Sequence, residues 1–159
     1  MSARIGVNFG AMSEVNIHAC SASTNGGGMY LRYIDSIDYR SSTITSCEAQ
    51  NGAGMYILGG DSVTVTDVHI VLCSASGAGG GIYGTDSADM SLTSVGFLNC
   101  SAEEEQSNDI HLSESFGSVD CTPTCTAGTF AATDSWECSN PYQAVVYDEG
   151  SGASVIDDC

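Results

Sequence analysis

A cysteine recurs through the first two thirds of the chain at nearly constant spacing. Cys20, Cys47, Cys73 and Cys100 are separated by 27, 26 and 27 residues, and similar residues surround each of them. Self-similarity with a period of 20 to 50 residues is typical of solenoids, propellers and repeat arrays. The spacing therefore predicts four copies of one structural unit.

Apolar residues in each unit alternate with polar ones ahead of the cysteine. Positions five, three and one before it share one inward face, because a period of two is the strand signal. These positions hold Val15, Ile17 and Ala19, then Ser42, Ile44 and Ser46, then Val68, Ile70 and Leu72, then Val95, Phe97 and Asn99. Alanine two residues after each cysteine gives a small inward side chain at a corner, and the residue between is polar and outward.

A glycine-rich segment follows in three of the units and leads into a second alternation. Glycine adopts positive φ without steric cost, so this segment predicts a sharp bend. The apolar residues after it, Met29, Met55, Ile82 and Ile110, are predicted to point in, and Tyr30, Tyr56, Tyr83 and His111 to point out. A third alternation places Ile37, Val63 and Met90 inside.

Three short strands in each turn of about 26 residues predict an all-β parallel β-helix over residues 1–118, of about four coils. A propeller blade needs roughly 40 residues, and the leucine pattern of leucine-rich repeats is missing. Coils of this kind stack about 4.8 Å apart, so equivalent side chains should form columns.

The repeat sequences also resemble a known family. "GGGMY", "AGMYI" and "GGGIY", together with "FLNCSA" from Phe97 to Ala102, are similar to the glycine-glycine-aliphatic and Phe-x-Asn repeats of polymorphic outer-membrane-protein adhesins. Those proteins belong to the right-handed β-helix (pectin-lyase-like) superfold. The resemblance covers roughly residues 5–118 and implies a right-handed coil and a secreted or surface-exposed protein. The superfold hosts both adhesion and polysaccharide chemistry, and fold alone does not choose between them.

The net charge of the chain limits the classes of partner that we expect. Its 159 residues carry 20 acidic side chains against three arginines, for a net charge of −17. Nucleic acids and anionic membranes require basic patches, so we expect neither as a partner. No apolar run is long enough for a membrane span, and we expect no membrane insertion.

Two outward columns are candidate binding sites. Tyr30, Tyr56, Tyr83 and His111 could stack on sugars, because an aromatic ring has an apolar face and a polar tip. The alternative is that the rings only support one another across strands. Asp35, Asp61 and Asp86, with Asp38 and Asp89, are candidate calcium ligands; the alternative is that each carboxylate accepts local backbone hydrogen bonds at a turn.

The cysteines are expected to play two different roles. The column of Cys20, Cys47, Cys73 and Cys100 is expected to be buried and free, because in-register side chains lie wider apart than the roughly 3.8 Å between the Cβ atoms of a disulfide. A single file also does not make the tetrahedron that zinc needs. After residue 118 the period fails. Cys121, Cys125, Cys138 and Cys159 are expected to form two disulfides in a small segment over residues 119–159, which places the chain in an oxidising compartment; zinc is the competing explanation.

The functional prediction is a non-catalytic extracellular structural or adhesive protein, such as a fibre or surface building block that contacts glycans. The alternative is a polysaccharide lyase or hydrolase of the same superfold, or its binding remnant. No catalytic constellation is evident, since Arg32 and Arg40 are the only arginines between residues 5 and 118 and the chain has no lysine. An open end of stacked strands predicts head-to-tail self-association, or a longer parent chain. Asn99 is a glycosylation acceptor by sequence, but is expected to point partly inward.

Overall fold

The structure is a computed structural model that describes residues 7–87, 90–103, 108–113, 117–120, 130–132, 136–138, 145–148 and 152–154. These residues form strands and connecting turns, with no helix among them. The chain winds into a parallel β-solenoid of about four turns, which confirms the predicted fold class.

The described residues form 16 strands. They are β1 (Val7–Ser13), β2 (Asn16–His18), β3 (Met29–Thr45), β4 (Glu48–Ala49), β5 (Met55–Val71), β6 (Ser74–Ala75), β7 (Ile82–Ser87), β8 (Met90–Thr93), β9 (Gly96–Leu98), β10 (Ser101–Ala102), β11 (Ile110–Ser113), β12 (Gly117–Asp120), β13 (Phe130–Ala132), β14 (Trp136–Cys138), β15 (Val145–Asp148) and β16 (Gly152–Ser154). Thirteen of them join one sheet, and β4, β6 and β10 form a second sheet of three strands.

Successive coils pair in parallel with the register that the repeat predicts. β3 lies against β5 over its whole length, with Tyr30 opposite Tyr56 and Ile44 opposite Ile70. β5 pairs in turn with β7, β8 and β9. Parallel pairing also continues past residue 118, where β12 pairs with β8 and β13 pairs with β11. Among the described strands, only β15 and β16 pair antiparallel.

The interior holds the apolar side chains that the alternation assigns to it. Burial of these residues stabilises the solenoid by roughly 1.5–3 kcal/mol for each large side chain. The fully buried members include Ile44, Met55, Val63, Val68, Ile70, Ile82 and Met90. Residues of equivalent position stack from coil to coil, so the core is a continuous file along the solenoid.

The three predicted strands of each coil are not separate in the middle of the solenoid. β3 and β5 each run unbroken for 17 residues and bend as they go. On either side of them the coils are divided, since β1 and β2 are separate strands, as are β8 and β9. Hydrogen bonds between coils continue around a bend, and the bend need not interrupt the ladder.

The sequence predicts glycine at the corners, and the structure places other residues at most of them. Gly26, Gly52 and Gly79 have positive φ, as expected of glycine, but most other corners use residues that carry side chains. The position before each repeat cysteine adopts φ between 52° and 56°, at Ala19, Ser46, Leu72 and Asn99. The predicted inward orientation of that position is therefore wrong. A left-handed residue reverses the alternation, so the cysteine after it points in and Leu72 is 53% exposed.

Gly54 shows where glycine is required for close approach rather than for its dihedral angles. A Cβ atom at this position would lie 2.6 Å from the Gly81 carbonyl oxygen and 2.7 Å from a methyl carbon of Ile70. The glycine-rich segments of adjacent coils thus pack backbone against backbone, and a side chain would force them apart.

Candidate functional site

A shallow groove crosses the solenoid on the face formed by the three-stranded sheet. In β4, β6 and β10, Glu48, Ser74 and Ser101 lie in register, and a bridge joins Ser21 to Glu48. Ala49 and Ala75 are buried, so the residues on either side of them point outward. The groove therefore has an alanine floor between two rows of polar side chains.

The groove runs across four coils and has a volume of about 420 Å³. One row holds Ser21, Glu48, Ser74 and Ser101, and the other holds Ser23, Gln50, Ser76 and Glu103. The Ser101 hydroxyl donates a hydrogen bond to the Ser74 hydroxyl at 3.0 Å. Hydroxyl, amide and carboxylate groups at equal steps present hydrogen-bond partners to an extended ligand lying along the axis.

Sequence reasoning identified the first row as outward but did not assign it a function, and it missed the second row. The signal was present in the sequence: alanine stands two residues after each repeat cysteine, with Ser, Glu or Gln on both sides. The concave shape is a tertiary property, since it depends on how the short strands meet the adjacent faces.

The aromatic column is assembled as the sequence predicted. Tyr30 stacks on Tyr56 with ring centroids 5.4 Å apart and 18° between the planes. Tyr83 follows at 5.0 Å and 4°, and His111 follows Tyr83 at 4.7 Å and 6°. Each contact is in the range of favourable aromatic pairs.

Stacking covers the ring faces that a sugar would use. Tyr56 lies between two other rings and is only 8% exposed, whereas Tyr30 is 46% exposed. Burial, followed by the neighbouring Tyr83 and Tyr30, raises the pKa of the Tyr56 hydroxyl. Between coils the column presents ring edges and hydroxyl groups to the outside.

The acidic residues do not form the single column that the sequence predicts. The pairs Ile34–Gly60 and Ser36–Ser62 place Asp35 opposite Asp61. The pair Gly60–Ser87 then places Asp86 opposite Gly59, two positions before the residue that would extend that column. Tyr33, Gly59 and Asp86 occupy equivalent positions at one corner and all adopt positive φ. Asp86 therefore lies at the corner itself, whereas Asp35 and Asp61 lie two residues after it.

Calcium coordination has little support in the described geometry. Asp38 accepts a hydrogen bond from the Arg40 Nε at 3.0 Å and forms an ion pair with that guanidinium. Asp89 lies outside the described residues. Where the chain is described, no group of three or more His, Cys, Asp or Glu side chains could hold a metal ion together.

Arg32, the other arginine of the coils, stacks on an aromatic ring. Its guanidinium carbon lies 4.8 Å from the centre of the Tyr33 ring, a cation–π distance. The Tyr33 ring in turn covers the backbone of Gly59, where a Cβ atom would lie 2.7 Å from it. Arg32 and Arg40 are thus each held by a neighbour on the surface.

The four repeat cysteines are free thiols stacked in one internal column, as predicted. Cys47 and Cys73 are fully buried, and Cys20 and Cys100 are half-buried. A hydrogen bond with Cys100 lowers the pKa of the Cys73 thiol to about 7 in spite of its burial. That hydrogen bond, together with burial, raises the pKa of Cys100, and burial raises the pKa of Cys47 to about 11.

Two sets of predicted site residues remain, namely the four cysteines after residue 118 and Asn99. Cys121, Cys125 and Cys159 fall outside the described residues, and Cys138 is described only as the last residue of β14. Asn99 is exposed at a corner with φ of 52°, so its predicted partly inward orientation is wrong.

No family model, curated protein or solved structure matches the chain. None of the described segments is a helix long and apolar enough to cross a membrane.

Proposed function

We propose that this chain is a non-catalytic structural or adhesive module of an extracellular or cell-surface assembly, and that it contacts glycans along the solenoid axis. The observation that carries the proposal is the polar groove over β4, β6 and β10, which repeats the same kinds of hydrogen-bonding groups on each coil. The resemblance of the glycine-rich repeats to those of polymorphic outer-membrane-protein adhesins points to the same class of protein and to a right-handed coil.

The groove suits a polymer better than a small molecule. Its polar side chains recur at the strand spacing of about 4.8 Å, and a glycan is an extended chain of hydroxyl groups that recur in the same way. Glu48 and Glu103 on the walls favour neutral or basic sugars. The net charge of −17 disfavours polyuronates, since like charges repel.

The aromatic column is the second part of the proposed surface. Its stacked rings are held rigidly, so edge contacts and hydroxyl hydrogen bonds to a sugar would cost little side-chain entropy. Tyr30 contributes most of this surface because its ring is the more exposed.

The positions of the acidic side chains support binding over hydrolysis. Paired carboxylates of glycoside hydrolases lie roughly 5–9.5 Å apart. Glu48 and Glu103 are two coils apart and in different rows, a backbone separation of more than about 10 Å at the usual strand spacing. A polysaccharide lyase or hydrolase is the competing function.

A glycan array with the purified protein tests the proposal. We expect retention of one class of neutral or basic glycan and no released product by mass spectrometry. Gln50→Ala and Glu48→Gln should weaken binding about tenfold, as expected for the loss of one or two hydrogen bonds. Thr64→Ala, on a different face, is the matched control and should bind as the wild type does.

Release of product from a retained glycan would overturn the non-catalytic role. Glycan binding that both groove substitutions leave unchanged would show that the groove is not the binding site. Calcium is assessed in the same assay by adding a chelator, which we expect to leave binding unchanged.

Self-association is the further part of this proposal. Among the described residues, β1 and β2 pair with a strand on one side only, and an unpaired strand edge is a template for another chain. Electron microscopy of concentrated protein should show head-to-tail filaments or short stacks. Sedimentation as a sharp monomer at high concentration would contradict this.

A further inference from the structure

The sulfur atoms of the cysteine column make two kinds of contact that recur from coil to coil. The Sγ atoms of Cys20, Cys47 and Cys73 each donate to the carbonyl oxygen two residues earlier, at 3.6, 3.5 and 3.6 Å. The Sγ atom of Cys100 donates to the Ile70 carbonyl oxygen in the coil before, at 3.5 Å. The Cys73 Sγ makes the equivalent contact with the Ile44 carbonyl oxygen at 3.9 Å, so the sulfurs follow one another along the solenoid axis.

The backbone fixes the spacing of this column. The Ser74 amide donates to the Cys47 carbonyl oxygen, and the Ser101 amide to that of Cys73, both at 2.9 Å. Neighbouring cysteines are therefore one strand step apart, about 4.8 Å. Two sulfurs stacked at that same step would each lie about 2.4 Å from the point midway between them, close to a metal–thiolate bond of about 2.3 Å.

We propose that neighbouring thiols of this column bind a soft, two-coordinate monovalent cation of the Cu(I) class, with one ion between Cys73 and Cys100 and a second between Cys20 and Cys47. Thiolates are the ligands that select Cu(I). Zinc requires four ligands in a tetrahedron, which a single file does not supply. The described residues bring no third ligand to either ion.

Binding exchanges protons for the metal without a redox step. Two thiols lose their S–H protons to solvent and form two metal–sulfur bonds, so one cation replaces two protons and the site carries one negative charge. The net charge of −17 also concentrates cations around the chain.

The column lies in the apolar core, which keeps water away from its inner thiols. A Cβ atom at Gly28 would lie 3.2 Å from the Cys47 sulfur, so glycine keeps that side of the column open. Cys47 and Cys73 are 0% exposed, whereas the outer thiols are half-buried. An ion reaches the column through Cys20 or Cys100.

Titration of the full chain with Ag(I), and with Cu(I) in acetonitrile under argon, tests the site by native mass spectrometry. The four cysteines after residue 118 are present in every variant, so differences from the wild type report on the column. We expect Cys73→Ala and Cys100→Ala each to lose about one ion. Their double variant should lose no more than either alone, whereas Cys47→Ala/Cys73→Ala should lose about two.

X-ray absorption on the Ag(I)-loaded and Cu(I)-loaded wild type tests the geometry without any substitution. Two sulfur ligands in linear coordination are expected; three or more ligands would overturn the proposal. Unchanged stoichiometry in Cys47→Ala/Cys73→Ala, with the wild-type circular dichroism spectrum, would also overturn it. If that variant does not fold, the absorption result decides.

Discussion

The Tyr56 ring lies nearly parallel to the Tyr83 ring, with 5.0 Å between their centroids. Together with Tyr30 on the other side, this contact leaves Tyr56 only 8% exposed although its position faces outward. Tyr56 therefore faces outward but is buried by the neighbouring rings of the aromatic column.

This stack should contribute measurably to stability. Tyr56→Ala is expected to lower the free energy of unfolding by about 3 kcal/mol, because it removes a buried ring and two ring contacts. Tyr30→Ala should cost about 1 kcal/mol, since its ring is half exposed and contacts one neighbour. Urea titration followed by circular dichroism measures both, and equal losses would mean that stacking does not matter.

The buried tyrosines should make the protein sensitive to alkaline pH. Burial raises the pKa of Tyr39 above its usual value of 10.0, so the folded state holds the proton more tightly than the unfolded state. This contribution to stability is fully present below pH 10 and is lost as pH rises through the folded pKa.

Tyr39→Phe should therefore flatten the fall in unfolding free energy above pH 10 and change stability at pH 7 by less than about 1.5 kcal/mol. Chemical denaturation at several pH values measures the slope. Tyr30→Phe, at a half-exposed ring, is the control, and an identical slope for wild type and Tyr39→Phe would refute the assignment.

The corner at Leu72 should be improved by substitution. Leucine pays about 1–2 kcal/mol for a left-handed conformation that asparagine adopts more easily, and Leu72 is 53% exposed, so little packing is lost. Leu72→Asn is expected to stabilise the protein by about 1 kcal/mol. The reverse change at the equivalent corner, Asn99→Leu, should destabilise it by a similar amount; thermal unfolding that moves both variants in the same direction would contradict this.

Close packing at Gly54 predicts a strong effect for a single methyl group. Gly54→Ala would place its Cβ 2.6 Å from a backbone oxygen that cannot move independently, and it should cost about 3 kcal/mol. In Gly96→Ala, the new Cβ atom would instead contact the ring of His69, an exposed side chain that can rotate away. Its cost should be below about 1 kcal/mol in the same urea titration, and a similar loss for both would show that contact with backbone is not the cause.

Much of the site could be read from the sequence because it depends on register. A repeat of 26 or 27 residues places Tyr30, Tyr56 and Tyr83 at one coil position, and parallel pairing then stacks them. Asp86 shows the limit of counting from the cysteine. Asp35, Asp61 and Asp86 lie 15, 14 and 13 residues after their repeat cysteines, but parallel pairing places Asp86 opposite Gly59 rather than Asp61. The glycine-rich segment after the cysteine varies in length, so equivalent positions must be counted from Met29, Met55 and Ile82, which lie in register after it.

The amino-acid sequence by itself determined the coil length, the inward file of apolar residues and the free cysteine column, since these follow from period and alternation. Only the tertiary structure decided which residues take the left-handed corners, that Leu72 faces solvent, and that two polar rows enclose a groove. These features depend on backbone angles and on how adjacent faces meet. The backbone preference of a single residue is worth about 1–2 kcal/mol. This is too little to set the corners and faces when packing along the whole coil opposes it.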